Sequence, residues 1–422
     1  MRIVVTGMGP VCSMGFDRDS VWRNILNEKT NLQLEKVTID RKITEEFYLH
    51  KLRDFKISNF GIERELLEEI ESWKRGADIT DLHYLIVAIK LAMEDSRLSP
   101  SPGSKIGLVI SNENPGLGTF CARIVNETFK ILNRKVTKAE YFKEFFMRFS
   151  RQAYDLQTFM PLYHIAKLFK IHGYSLFVNN ACASGLYAID LASQIIKSKR
   201  CKVVVVAASD QPDVFKYLWF KGIHMYAQDG KIKPFSRNSN GFVFGEGGAA
   251  LILEELTHAR RRKAPIYGEY LGGGFSFEGF KVTLPHVGSN FYADAIKEAL
   301  AEAKLSVNDV DFICAHGVGT NIADRYEAMT ISKIFKHSTP ISAFKPYVGN
   351  NLGGCSLLET LIMLLAMESS IIPPILNCEE THPKINMNLI KSRLVTEIKT
   401  SLKICSAFAG YNGAVVFRKF KQ

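Results

Sequence analysis

Tyr174-Ser175-Leu176-Phe177-Val178-Asn179-Asn180-Ala181-Cys182-Ala183-Ser184-Gly185 is the stretch on which the fold turns. Tyr174–Val178 reads as a strand, Asn179–Ala183 as a polar, small-residue turn, and Gly185–Lys197 as a helix with a repeating apolar face. Strand, tight turn and helix in that order form the building unit of an α/β protein. Cys182 falls at the first turn of the helix, where unpaired N–H groups and the helix dipole favour negative charge. Such a position can lower a thiol pKa and produce a nucleophilic thiolate. The alternative is a buried structural cysteine. Ala181, Ala183, Ser184 and Gly185 leave room around the sulfur for an acyl chain.

The same alternation extends in both directions. Further strands are predicted near Arg2–Thr6, Ile106–Ser111, Lys202–Ala207 and Ala249–Leu253, then near Ile266–Gly273, Asp311–Ala315, Ile341–Phe344, Ser401–Phe408 and Gly413–Phe417. Helical patterns separate them, including Asp81–Glu94, Asn290–Ala303, Asp324–Phe335 and Leu352–Ser369. Both halves run in a similar order, which suggests an internal duplication with its join near Leu256–Ala264. The expected division is residues 1–256 and 257–422. Residues 31–78 and 112–160 are charged or rich in Phe, Lys and Arg, and are expected to stand off the core as helices and loops.

The 422 residues suffice for two similar halves. The composition is 46% hydrophobic and 23% charged, typical of a globular protein. The eight cysteines show neither CxxC pairs nor Cys/His spacing, which argues against zinc and against a disulfide framework and suits a reducing compartment. The apolar start is too short for a signal peptide. The best apolar run, Leu357–Met367, is interrupted by Glu359 and too short for a bilayer span, so a cytoplasmic protein is expected. The net charge is +11, with clusters at Lys197–Arg200 and Arg260–Lys263. These are either solvated helix ends or a surface that attracts an acidic protein partner. No nucleic-acid-binding motif accompanies them.

Three later segments carry polar groups at strand ends. Phe312–Thr320 runs from an apolar strand into His316 and a glycine turn, where catalytic groups sit in open α/β folds. Asp324 and Glu327 follow on one helix face; they can anchor Lys345, orient His316, or simply complement the helix dipole. Ser342–Gly354 ends a strand in a loop holding Lys345, Asn350 and Asn351, where the amides either cap the next helix or donate to a thioester oxygen. Ser406–Gly413 is a small-residue turn in which Phe408 is either a gate beside the thiol or core.

These segments, in this order, resemble the β-ketoacyl-acyl-carrier-protein synthases of the thiolase superfamily, specifically the elongating enzymes and polyketide ketosynthases. The matching motifs are Val4–Gly9, Ala181–Gly185, Pro234–Arg237 with Gly241–Gly247, His316–Thr320 with Asp324 and Glu327, Ile372–Pro374 and Phe408–Gly413. The resemblance implies a duplicated α/β/α/β/α five-layer fold and usually a dimer, either of like subunits or with a related ketosynthase-like subunit. It implies that Cys182 takes an acyl group from the phosphopantetheine arm of an acyl carrier protein, with no bound cofactor or metal. Malonyl-carrier protein is then decarboxylated and its carbanion attacks the thioester. In that scheme His316 stabilises the enolate and Lys345 gives electrostatic support, with Asp324 and Glu327 behind them. The amides of Cys182 and of the Phe408–Ala409 region form the oxyanion hole.

One departure stands out. Elongating synthases carry histidine where this chain has Asn350, so the implied triad is Cys-His-Asn, the set used by starter-type condensing enzymes. Asparagine donates a hydrogen bond but cannot act as cation or base. Ala407 and Ala409 also stand where glycines are usual. Two alternatives follow: acyl transfer from Cys182 without condensation, and a subunit of a chain-length-type heterodimer. A thiolase reading would need a second cysteine at the C-terminal turn, and Cys405 is the nearest.

Overall fold

The computed structural model describes residues 1–421 apart from 41–42, 75–79, 101–104, 114–119, 122–123, 126–127, 131–136 and 336–337. Its framework is one ten-stranded sheet. The strands are β1 (Ile3–Val11), β2 (Ile106–Ser111), β3 (Ser175–Val178), β4 (Val203–Asp210), β5 (Gly247–Glu255), β6 (Gly268–Phe277), β7 (Phe312–Cys314), β8 (Ile341–Ser342), β9 (Thr400–Ser406) and β10 (Tyr411–Lys419). Their spatial order is β8-β7-β9-β10-β6-β1-β5-β4-β2-β3. Each half has five strands with the same pairing. β1 is antiparallel to β5, β5 antiparallel to β4, and β4, β2 and β3 are parallel. Likewise β6 is antiparallel to β10, β10 antiparallel to β9, and β9, β7 and β8 are parallel. The halves join where Ile3–Val5 pairs with Gly268–Tyr270.

Helices complete the layers. α1 (Thr80–Asp95) covers the first half from outside, and α4 (Phe291–Glu302) covers the second. Between the halves, α2 (Ser184–Lys197) packs against α6 (Cys355–Ser369). Leu186, Ile189, Ala192 and Ile196 bury one face of α2 at helical spacing. Gly185 permits the close contact, since a Cβ there would lie 2.5 Å from the Leu357 amide nitrogen. β4 begins with the run Val-Val-Val-Val and is buried along its length, as a strand covered on both faces must be.

The N-terminal strand, predicted near Arg2–Thr6, extends to Val11, absorbing Val5–Gly7 as a bulge. Leu352–Ser369 is long and apolar enough to cross a membrane, contrary to the shorter apolar run predicted, but it is 89% buried and serves as a core helix. The charged segment after residue 31 holds a β-hairpin, Leu32–Asp40 with Ile43–His50, which was expected to be helix and loop. The hairpin pairs with Phe244–Gly245, and Gly245 donates its amide to the carbonyl of Asn350 at 3.1 Å. Part of the predicted peripheral region 112–160 lies outside the described residues; within it, Lys138–Asp155 is helical.

Candidate active site

Cys182 sits in a sharp turn between β3 and α2. Ala181, just before it, has φ of 50°, a left-handed conformation that is costly for a residue with a Cβ. Ser184 fixes the turn: its hydroxyl donates to the Ala181 carbonyl at 2.6 Å and accepts from the Asn180 amide at 2.7 Å. The small residues around Cys182 therefore build the turn as well as leaving space.

The His316 loop follows β7. Glu327, on α5 (Asn321–Phe335), accepts from the amides of His316 and Gly317 at 2.7 and 2.8 Å. Asp324 accepts from the amides of Phe235 and Gly319 at 2.8 and 3.0 Å. Both carboxylates thus hold backbone around the histidine; neither anchors Lys345. Burial pushes the Asp324 carboxyl up to about 8 and also raises Glu327, against the amide hydrogen bonds each receives.

The anchor of Lys345 is Glu359, in the middle of α6. Lys345 and Lys403 each pair with a different oxygen of Glu359 at 2.5 Å, and all three side chains are buried. Lys345 Nζ also lies 3.2 Å from His316 Nδ1 and 3.1 Å from the His316 carbonyl. An ammonium can only donate, so Nδ1 is the acceptor and the ring proton belongs on Nε2. Burial, followed by the charge of Lys345, holds His316 well below the ordinary histidine pKa, so the ring is neutral. Burial opposes the charge on Lys345, but Cys355 and Glu359 hold its pKa above the ordinary lysine value.

Two further cysteines enter the site. Cys405, on β9, places its sulfur 3.2 Å from His316 Nδ1. Cys355, at the start of α6, places its sulfur 3.4 Å from the Cys182 carbonyl; burial opposes its ionisation, but the thiols of Cys182 and Cys405 and the charge of Lys345 hold its pKa well below the ordinary cysteine value. The hydrogen bond to Cys355, together with burial, pushes the Cys182 thiol well up. The helix start places the sulfur and favours the thiolate, and the neighbouring Cys355 and burial oppose it.

Asn350 is 1% exposed and lines the same cavity as Cys182, His316 and Phe408. Gly349 precedes it with φ of 76°, and a Cβ there would lie 2.5 Å from the Gly245 nitrogen, so the loop needs glycine. Asn350 Oδ1 accepts from the Leu352 amide at 3.1 Å. It therefore caps the local turn with its oxygen and retains its amide N–H groups for the cavity. Phe408 lies against Phe220 and Trp219 at the cavity wall, with ring centroids 5.6 and 6.0 Å away. The Ala409 amide is committed to the Val282 carbonyl at 2.7 Å, whereas among the described residues the amides of Cys182 and Phe408 donate to no backbone carbonyl. The amides available to an oxyanion are thus those of Cys182 and Phe408.

The cavity measures about 370 Å³ and joins all these elements. Four predicted residues, Cys182, His316, Asn350 and Phe408, line it directly, and Lys345 reaches it through the histidine. Sequence reading missed Glu359, Lys403, Cys355, Glu113 and Lys216. A glutamate interrupting an apolar helix and a lysine inside an apolar strand were the available signals for the first two, since buried charges need partners. Among the described residues no cluster of His, Cys, Asp and Glu could hold a metal ion.

Residues 1–259 match the family model described as the beta-ketoacyl synthase N-terminal domain, and residues 267–379 match the C-terminal domain. The chain is 28% identical over 431 residues to a putative polyketide beta-ketoacyl synthase 1 of Streptomyces halstedii, covering 98% of this chain and 97% of that one. It superposes on the ishigamide ketosynthase/chain length factor with a TM-score of 0.84 at 21% identity, covering 100% and 99% of the two chains. It also superposes on the ketosynthase assembly AntDE:AntF, which includes a type II polyketide acyl-carrier protein, with a TM-score of 0.82 at 24% identity over 99% of each chain. At these identities the two structures establish the thiolase-like fold.

Proposed function

Because this chain belongs to the β-ketoacyl synthase family and is a condensing enzyme of that type, we propose that it loads an acyl chain onto Cys182 and extends it by decarboxylative condensation with malonyl-carrier protein, in fatty-acid, polyene or polyketide synthesis. The observation that carries this reading is the convergence of Cys182, neutral His316 and the Asn350 amide on one cavity.

In the first half-reaction Cys182 Sγ attacks the incoming thioester carbon. The carbonyl oxygen becomes an oxyanion within reach of the Cys182 and Phe408 amides, the carbon–sulfur bond to phosphopantetheine breaks, and the Cys182 thiol proton passes to the departing sulfur. In the second, the bond between the malonyl α-carbon and its carboxylate breaks and carbon dioxide leaves. The electron pair moves toward the malonyl thioester oxygen as an enolate. His316 Nε2–H and the Asn350 amide are the donors for that oxygen. The α-carbon then attacks acyl-Cys182, and the carbon–sulfur bond breaks to release the Cys182 thiolate, which takes up a proton from water to return the thiol.

Lys345 supports this by fixing the tautomer: its contact at Nδ1 directs the only ring proton to Nε2. Neutral histidine and asparagine are both donors here, so the step requires no second imidazole. The proposed partners are an acyl carrier protein, drawn by the net charge of +11, and a second subunit, either another copy of this chain or a related ketosynthase. The phosphopantetheine arm arrives on the carrier as substrate. Intact-mass analysis after incubation with acyl-carrier protein tests the loading step. Wild type gains one acyl mass, mapped to Cys182, and Cys182→Ala gains none; an adduct retained by the variant contradicts the assignment.

A further inference from the structure

The cavity at Cys182 is mainly apolar, with Trp219, Phe220, Phe242 and Leu352 among its walls. Glu113, Asp213 and Lys216 interrupt that lining, and the condensation steps use none of them. Asp213 caps α3 (Val214–Gly222), accepting from the Phe215 and Lys216 amides at 2.8 and 3.0 Å. Lys216 donates to Asp210 Oδ1 at 2.6 Å and to the Gln211 carbonyl at 3.1 Å, which leaves one ammonium N–H. Glu113 follows β2, and its backbone carbonyl is tied to the Cys182 turn through the Asn179 amide at 2.8 Å. Among the described residues its carboxyl receives no hydrogen bond and no ion pair. Burial, aided by the charge of Asp210 and opposed by that of Lys216, pushes this carboxyl up to about 8. Near neutral pH it is mainly a neutral acid, able both to donate and to accept.

A carboxyl lining a mainly apolar cavity without a hydrogen-bond partner is costly, and a ligand group that hydrogen-bonds it offsets that cost. We propose that Glu113 and Lys216 select an acyl chain bearing a hydroxyl or keto oxygen, which they hydrogen-bond while its thioester carbon sits at Cys182. A wholly saturated hydrocarbon chain leaves the Glu113 carboxyl and the last Lys216 N–H unsatisfied and is disfavoured. The inference rests on the acyl-loading reading above.

The test compares acylation of Cys182 by pantetheine thioesters of one chain length, either unsubstituted or carrying one hydroxyl at each successive carbon. Wild type is expected to load at least one hydroxylated chain with kcat/KM about tenfold above the unsubstituted chain. Glu113→Gln, which keeps a donor and an acceptor, retains that preference; Glu113→Leu loses it, mainly by loading the hydrocarbon faster. The ratio is insensitive to the fraction of active protein. A wild-type preference for the unsubstituted chain over every hydroxylated one, or a preference unchanged in Glu113→Leu, overturns the proposal while leaving acyl loading intact. If neither kind of chain acylates Cys182, the loading reading falls and this inference falls with it.

Discussion

Lys345 Nζ lies 3.2 Å from His316 Nδ1 in a fully buried site, and this contact sets the direction of the only ring proton. A cation beside an imidazole keeps it neutral and aims Nε2–H at the reacting oxygen. Lys345→Met removes this cation and its contact at Nδ1. Decarboxylation is expected to fall about 10²–10³-fold, the range for losing one preorganised donor, and the His316 NMR titration to move upward. An unshifted His316 titration would show that Lys345 does not control the ring.

Glu359 holds Lys345 and Lys403 together. Replacing it with glutamine keeps the shape but leaves two buried ammonium groups without their counter-ion. The loss is expected to be about 3–5 kcal/mol, visible as a clear drop in Tm. A Tm equal to wild type would mean that the two lysines find other partners.

Much of this arrangement is legible in the sequence because strand–turn–helix units place functional groups at strand ends. Cys182, His316, Lys345 and Asn350 all sit at such junctions, and the duplicated strand order follows from the same alternation. Glu359 and Lys403 are hidden because they lie in the middle of an apolar helix and strand, where only tertiary contact reveals their pairing. Cys355 and Cys405 look like ordinary small core residues, and nothing local shows that they meet Cys182 and His316. Glu113 sits beside segments outside the described residues, in a region whose apolar pattern is weak. The hairpin over Leu32–His50 carries charges on its exposed face, and this masks its strand character.

Cys355, together with burial, raises the Cys182 thiol. Removing the partner reverses that shift, so in Cys355→Ala the Cys182 thiol titrates at lower pH. Alkylation by iodoacetamide, followed by mass spectrometry across pH, should show its midpoint moving down. A midpoint unchanged or moved up would rule out this coupling.

Asn350 uses Oδ1 to cap the Leu352 amide and has only its N–H groups left for substrate. Asn350→Asp keeps the cap but replaces the donor with an acceptor. Condensation is expected to fall about 10²–10³-fold while Cys182 still acylates. Equal loss of acylation and condensation would place Asn350 in the first half-reaction instead.

His50 is buried on the hairpin strand, with Nδ1 lacking a hydrogen bond among the described residues, and burial lowers its pKa to about 4. Its folded pKa is depressed, so between pH 6.5 and about 4 the unfolded chain takes up a proton that the folded chain does not. Stability is therefore full above pH 6.5 and is lost on acidification through that window, by on the order of 3 kcal/mol. His50→Gln should flatten the dependence of Tm on pH across it. An unchanged slope would assign the acid sensitivity to other groups.

The reaction proposed for this Cys-His-Asn site is decarboxylative condensation. It is tested most directly by following carbon dioxide release and product mass from malonyl-carrier protein with acyl-carrier protein, for wild type and Cys182→Ala. Wild type is expected to release carbon dioxide matched one for one by β-ketoacyl product, and Cys182→Ala to form no product. Acyl-Cys182 forming in wild type without carbon dioxide release or β-ketoacyl product, with the proposed second subunit present, would contradict it.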